Sequence, residues 1–388
     1  MKTIKTVLIG AGYRGMRLYH LMQTIPQFNV VAVFDPFCTP DIDSTVAYYG
    51  QDASAYLTML DECKPQLVVI ASPWQFHVEQ TCQCLQRGCH VALEIKGGFS
   101  LGEYQQAIEI AHQKNLHLFP LENTVFMREN MALYNMVKEG VLGELVAMRG
   151  GYRHDLRDML IDEAGNWGNS KKPEGIWRSK FYQYENGDLY PTHGLAPLCL
   201  AAGINRDDYM VELMSFSSRA CGLKHFIREK GGDDSVNVAM GDIVVTQLKS
   251  AKGILFTLTH DTTLPRPKSL DFEIQGTKGI WRGEFRKIYI EGLSPYEEWE
   301  DDFSYIERFE HDFWKRWGKL ALKHDTHHNG MDYIMLRALV ANLLDEAVYP
   351  ILPEDLALWA SVTPYSKLSI SQGRVVKMRD EEHLFYHQ

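Results

Sequence analysis

The chain has 388 residues, 45% of them hydrophobic and 23% charged, with a formal net charge of −10. That length exceeds a typical domain of roughly 100–200 residues, and the composition is that of a globular protein, which excludes disordered and fibrous classes. The acidic balance, without any long Lys/Arg block, excludes nucleic acid as a partner, and no run approaches the roughly 18 apolar residues of a membrane span.

Residues 4–9 read as a first strand rather than a signal peptide, because the apolar run is short and passes straight into Gly10. A helical pattern follows through Met16, Leu18, Leu21 and Met22. The alternation then repeats, with strands expected at 30–34, 67–71, 90–94 and 116–120 and helices at 77–86 and 101–114. Strands separated by helices of this length imply a parallel sheet covered on both faces. Past residue 123 the rhythm changes. A helix is expected over 128–139, then alternating strands at 145–152, 238–249, 253–260, 270–276 and 287–290. Few helices separate the last four, so a mostly antiparallel sheet is expected. The stretch 153–190 is aromatic and polar without a clear period and reads as a long functional loop; helices return at 302–322, 331–349 and 353–362.

The turn after the first strand, Gly10-Ala11-Gly12-Tyr13-Arg14-Gly15, has the form G-x-G-x-x-G. Gly10 suits the tight turn, Gly12 lets the backbone approach a pyrophosphate, and Gly15 allows close helix–strand packing, while Tyr13 and Arg14 fill the variable places. Asp35 ends the second strand, twenty residues beyond Gly15, where an acid accepts from ribose hydroxyls and repels a 2′-phosphate. The cofactor is therefore NAD. The fold class is α/β, with an N-terminal Rossmann domain over 1–122 and a C-terminal α/β domain over 123–388 built on a large, mostly antiparallel open sheet. An uncovered sheet face predicts a homodimer or homotetramer. Seven cysteines, few and odd in number, point to a reducing compartment and hence the cytoplasm. Cys82 and Cys84 are two apart on a predicted helix, on nearly opposite faces, so buried thiols are expected there rather than a zinc cluster.

In order along the chain, VLIGAGYRG, VVIASPWQFHVEQ, HVALEIKGGFS and MVKEGVLGEL resemble the Gfo/Idh/MocA oxidoreductases. More narrowly, GYRHDLR (151–157), LYPTHGL (189–195), HDTTLPRP (260–267), GMDY (330–333) and LWASVTPYSKLSISQG (358–373) resemble glycoside hydrolase family 109, NAD-dependent α-N-acetylgalactosaminidases. The resemblance implies that Ser72, Trp74, His77, Glu94 and Asn123 join the glycine turn in holding NAD. It places His193 at the family's catalytic histidine and Tyr152 and Tyr190 on tyrosines of the hydrolase site. Lys96 stands where the hydrolase group has a proline, and Lys268 where it has a tyrosine.

Asp188-Leu189-Tyr190-Pro191-Thr192-His193 precedes an apolar helical run, which puts Tyr190 at the helix entry and His193 in the first turn, on one side by their spacing of three. A first-turn histidine either packs or, near the positive end of the helix dipole, serves as an uncharged proton acceptor; the resemblance selects the second. Tyr152, at a strand end, either packs or supplies a phenolic acid/base. Lys96, just past the strand ending at Glu94, is either a solvated loop lysine or a desolvated one that exchanges a proton with a substrate hydroxyl. Arg153, His154 and Arg157, beside Asp155, orient substrate or one another. Trp177, with Trp167, Tyr182 and Tyr184, either stacks on a sugar or anchors the loop. The cluster His324, Asp325, His327 and His328 sits in a short polar loop, and no metal is expected. The function expected is that of an NAD-dependent enzyme acting on a sugar or glycoside by hydride transfer at a ring hydroxyl, with glycoside hydrolysis by oxidation, elimination, addition and reduction slightly favoured. The alternatives are a plain NAD-dependent sugar dehydrogenase and a non-catalytic NAD-dependent sensor.

Overall fold

A computed structural model describes residues 2–378. They divide into two compact units, one made of the residues up to Met127 together with Asp312–Leu358, the other of Arg128–His311 with the segment from Trp359 on.

The first unit begins β1 (Ile4–Ile9), α1 (Tyr13–Gln23), β2 (Phe28–Phe34), β3 (Ala47–Tyr49), α2 (Ala55–Cys63), β4 (Leu67–Ile70), α3 (His77–Gln86), β5 (His90–Leu93), α4 (Gln105–Gln113) and β6 (Leu118–Pro120). Its six strands run in the order β3-β2-β1-β4-β5-β6, and every pairing is parallel. All four residues of β4 are fully buried, as a strand covered on both faces requires. The order reverses between β1 and β4, the switch point at whose carboxyl edge such sheets hold ligands. The short β3 and α2 are not anticipated by the sequence reading.

The second unit contains α5 (Arg128–Lys138), β7 (Leu145–Arg153), α6 (Arg157–Leu160), α7 (Glu174–Tyr184), α8 (Thr192–Ala201), β8 (Met210–Ser217), α9 (Gly222–Glu229), β9 (Ile243–Ser250), β10 (Leu255–Asp261), β11 (Glu273–Gly276), β12 (Gly279–Arg282), β13 (Lys287–Ile290), β14 (Glu300–Asp301) and α10 (Phe303–Arg308). After it come α11 (Asp312–His324), α12 (Met331–Leu343), α13 (Pro353–Gln372) and β15 (Val376–Lys377). The nine strands run β14-β13-β12-β11-β7-β10-β9-β8-β15. Among the described residues only β7 and β10 pair in parallel, so the sheet is mixed but mostly antiparallel.

Besides β3 and α2, the sequence reading lacks β8, α9 and β12 among others, and three further departures bear on the site. The helix expected over 302–322 breaks into α10 and α11, and from Asp312 the chain packs back into the first unit instead of continuing the second. Buried aromatics explain the return: Trp314 Nε1 donates to Phe126 O at 2.9 Å, and the Tyr349 hydroxyl donates to Pro120 O at 2.8 Å. The supposed loop 153–190 contains α7, whose buried positions Gly175, Arg178, Ser179 and Tyr182 have helical spacing without aliphatic side chains. Finally, α13 runs ten residues past the expected end, through Pro364, with Thr363, Ser366 and Ser369 buried along it.

Candidate active site

In the first unit, α1 starts directly from the glycine turn. Gly10 has φ +91°, a left-handed backbone that only glycine adopts without strain. A Cβ on Gly15 would lie 1.9 Å from Gly10 O, so the turn and helix touch backbone to backbone. A Cβ on Gly12 would meet nothing within 4 Å, leaving open space beside the first N–H groups of the helix. That opening fits a pyrophosphate. Asp35 is buried and accepts from Ala11 N (2.8 Å), Phe37 N (2.8 Å) and Cys38 N (3.1 Å). A carboxylate offers about four acceptor positions, so one remains for a ribose hydroxyl. Burial and the charge of Asp35 push the Cys38 thiol up to about 12.

Ser72 Oγ donates to Gln80 Oε1 at 2.6 Å, and Trp74 Nε1 donates to Ile95 O at 3.2 Å. His77 is fully buried and its Nε2 donates to Ser72 O at 2.7 Å; burial lowers its pKa to about 4, so the ring is uncharged at neutral pH. Tyr13 is exposed, with its hydroxyl 2.9 Å from His327 Nε2. Arg14 turns away from solvent toward Glu94 (2.7 Å) and Asp332 (2.6 Å), and Asn123 Nδ2 also donates to Asp332. Lys96 is 0% exposed, which overturns the solvated-loop reading. Its Nζ donates to Gly97 O and Gly98 O, both at 3.1 Å, and lies 4.2 Å from the Phe99 ring centroid. Carbonyl dipoles and ring faces stabilise the ammonium there.

In the second unit, Tyr152 on β7 stands in register with His260 on β10 and through it with Val244 on β9. Helix α8 lies against β7 at backbone distance: a Cβ on Gly150 would be 2.2 Å from Gly194 O, and one on Gly194 2.3 Å from Gly151 N. The glycine pair and Gly194 therefore bring the helix entry onto the strand. The rings of Tyr152 and Tyr190 lie 4.5 Å apart, those of Tyr190 and His193 4.8 Å, and those of Tyr152 and His193 5.6 Å. The segment before Tyr190 is pinned by α13, with Thr363 Oγ1 donating to Asp188 O (2.7 Å) and Asp188 N donating to Ser366 Oγ (2.8 Å).

Arg178 and His260 were not anticipated. Arg178, 4% exposed, places its guanidinium carbon 5.1 Å from the Tyr190 centroid and 5.7 Å from that of Tyr152, and Nη1 donates to Glu174 Oε1 at 2.5 Å. The helical spacing of Gly175, Arg178, Ser179 and Tyr182 was the available signal, but it carried no hydrophobic stripe. Burial raises the Tyr152 pKa and Arg178 opposes that only in part, so the phenol stays protonated at neutral pH and can donate. His260, 1% exposed, is lowered to about 3 by burial and by Arg178, and His154 to about 4 by burial, Lys268 and Arg178. Both rings are neutral.

Other expected residues stand apart from this ring cluster or are engaged elsewhere. Arg153 pairs with Asp271 (3.1 Å) and Asp261 (3.5 Å), and Arg157 pairs with Asp155 (2.7 Å) and covers the Phe226 ring at 4.7 Å. Trp177 is half-buried and meets Phe181 edge-on, Lys268 is exposed, and Tyr182 is wholly buried with its hydroxyl 2.9 Å from Thr262 Oγ1. In the first unit, ligand-type atoms of Asp325, His328 and Asp332 lie within 4.8 Å of one another. Arg14 and Arg17 already sit on the two carboxylates, so the group reads as an ion-pair network rather than a metal centre.

These two sites define an enzyme class. Residues 4–121 match the oxidoreductase family with an NAD-binding Rossmann fold, and the protein is an oxidoreductase of Gfo/Idh/MocA type whose cofactor is NAD. Residues 126–381 match the C-terminal domain of glycosyl hydrolase 109. The chain is 32% identical to a glycosyl hydrolase family 109 protein of Stenotrophomonas maltophilia (strain K279a), over 96% of this chain and 87% of that one. It is 33% identical to an alpha-N-acetylgalactosaminidase of Tannerella forsythia, over 82% and 71% of the two chains. The chain belongs to glycosyl hydrolase family 109. In fold it is similar to a levoglucosan dehydrogenase (TM-score 0.71, 14% identity, 98% of this chain and 100% of that one). It is also similar to a myo-inositol 2-dehydrogenase from Lactobacillus plantarum (TM-score 0.65, 16% identity, 97% and 100%).

Proposed function

We propose that the protein cleaves a glycoside by a redox-neutral cycle, with Tyr152, Tyr190, His193 and Arg178 handling the sugar. The observation that carries this reading is the convergence of the Tyr152, Tyr190 and His193 rings, with one buried guanidinium over the two phenols. The glycine turn, Asp35, Ser72, Trp74, His77, Glu94 and Asn123 would hold NAD, which would supply an acceptor for a hydride from a ring carbon and a donor for its return. His193 accepts the proton of the sugar hydroxyl being oxidised. A ketone at C3 makes the C2 hydrogen acidic; its loss as a proton to water breaks the C1–O bond, water then adds across the double bond with hydroxyl to C1 and a proton to C2, and the returning hydride with the proton held by His193 restores the C3 alcohol. Tyr152, protonated through burial, is suited to donate to the departing oxygen, while Arg178 draws electron density from both phenols and orients the substrate. An α-N-acetylgalactosaminide is the first substrate to test, because one relative is an alpha-N-acetylgalactosaminidase.

The test is electron balance. Incubation of purified protein and NAD with an aryl α-N-acetylgalactosaminide should release the phenol over many turnovers without matching NADH. NADH equal to the sugar consumed, with no phenol released, would replace this reading with a plain sugar dehydrogenase.

Two coarser matters complete the proposal. Among the described residues no helix is long and apolar enough to cross a membrane, and all seven cysteines are unpaired, which supports a reducing compartment such as the cytoplasm. Phe216 and Leu255 are exposed on strands of the nine-stranded sheet, and their registers place them on the face opposite Tyr152, His260 and Val244. A homo-oligomer joined through that face would cover them. Light scattering giving twice or four times the chain mass is the expected result, and a monomer would reject it.

A further inference from the structure

The GMDY segment is a family motif that the sugar chemistry leaves without a role, and its aspartate lies deep in the cofactor unit. Asp332, 1% exposed in the first turn of α12, accepts at Oδ1 from Arg14 Nη2 (3.0 Å) and Asn123 Nδ2 (2.9 Å). At Oδ2 it accepts from Arg14 Nη1 (2.6 Å) and meets His328 Nδ1 (2.6 Å). The remaining edge of Arg14, Nε, donates to Glu94 Oε2 at 2.7 Å. One carboxylate thus ties together, directly or through Arg14, the turn after β1, the end of β5 and the end of β6, three places along the carboxyl edge of the parallel sheet.

We propose that Asp332 is a positioning residue for NAD, fixing the glycine turn and Glu94 through the fork of Arg14. It rests on the reading that this turn and Glu94 hold the cofactor. Helix docking does not need the carboxylate. The helix is anchored by Ile334, Met335, Leu336, Ala338 and Leu339, all 0% exposed, and its first turn is capped by Asp332 N donating to Asp325 Oδ2 at 2.9 Å. The carboxylate is needed by Arg14. A planar guanidinium holds its orientation when a bidentate partner occupies one face of the fork, and a buried one that loses that partner swings toward whatever acid remains. Here that acid is Glu94, which burial already works to protonate and which Arg14 helps keep charged. Losing the Asp332 charge therefore moves two cofactor elements at once, without a change in the sugar site of the other unit.

The experiment titrates NAD into full-length Asp332→Asn, Arg14→Met, the double variant and Asp332→Glu, following affinity by calorimetry and the Tm of the cofactor-free protein. Each single variant should weaken NAD at least tenfold, the double variant no more than the worse single one, and Asp332→Glu should recover part of the loss. NAD affinity within twofold of the parent alongside a lowered Tm would make Asp332 a helix anchor only and overturn the proposal, as would losses that multiply in the double variant. If Asp332→Asn does not fold, Arg14→Met and Arg14→Lys decide: unchanged NAD affinity in both overturns it. Glu94→Gln separates the two levels. If that variant binds NAD normally, the cofactor reading itself has failed and the proposal falls with it; if it binds weakly while Asp332→Asn binds normally, only the relay is wrong.

Discussion

In the proposed cycle Arg178 and His193 divide the chemical work. Arg178 is a buried cation over two phenol rings, and its field draws the Tyr152 pKa down against the upward push of burial. His193 is half-buried at the start of α8, and in the proposed cycle its imidazole is the proton acceptor. Asparagine at 193 preserves polarity and approximate size but cannot take up that proton. His193→Asn should therefore lower turnover by about 10²–10⁴ while NAD affinity, measured by titration, stays within twofold. A drop of less than tenfold would return the histidine to a packing role. Lys96 illustrates the limit of residue-level reading. Its charge and its place after Glu94 were visible, but a sequence does not reveal that the side chain folds back onto its own turn, between two carbonyls and the Phe99 ring.

At the scale of elements, the site exists because α8 can reach β7. Gly150, Gly151 and Gly194 make the contact, and Gly194→Ala would force a Cβ to within 2.3 Å of Gly151 N. The substitution should cost about 1–3 kcal/mol of stability by overpacking and should reduce activity further than the lost fold accounts for, since it shifts Tyr190 and His193 together. Chemical denaturation and kinetics on the same preparation check it; normal activity would mean that the helix position is not critical. The same elements explain what was legible in the sequence. The strands and helices of the first unit carry aliphatic runs at clear periods, and the glycine turn announces itself by spacing. Helix α7 and the second half of α13 do not, because their buried faces are built from Gly, Arg, Ser, Thr and Tyr, held by hydrogen bonds rather than by apolar area. The return of α11 and α12 to the first unit was hidden for another reason. Its anchors, Trp314 to Phe126 and Arg14 to Asp332, join residues 188 and 318 positions apart, beyond any local pattern.

For the whole molecule, buried neutral histidines tie stability to pH. His77 and His154 are lowered to about 4 and His260 to about 3, each first by burial. Below the ordinary histidine value near 6.5 the unfolded chain takes up protons that the folded one refuses, so stability is full above that pH. It should fall as pH drops from about 6.5 toward 4, each such histidine contributing up to about 1.4 kcal/mol per pH unit. A Tm profile flat over that window would contradict the buried, uncharged assignment, and His260→Gln should make the decline shallower. In the proposed cycle a hydride leaves the sugar and comes back, and in between the C2 hydrogen is lost. Cleavage of an α-N-acetylgalactosaminide in deuterated water, with the released sugar analysed by proton NMR, tests this directly. The account predicts deuterium at C2 of the product with no net NADH, whereas released sugar that keeps its C2 proton would contradict it, because an acid/base glycosidase never breaks that bond.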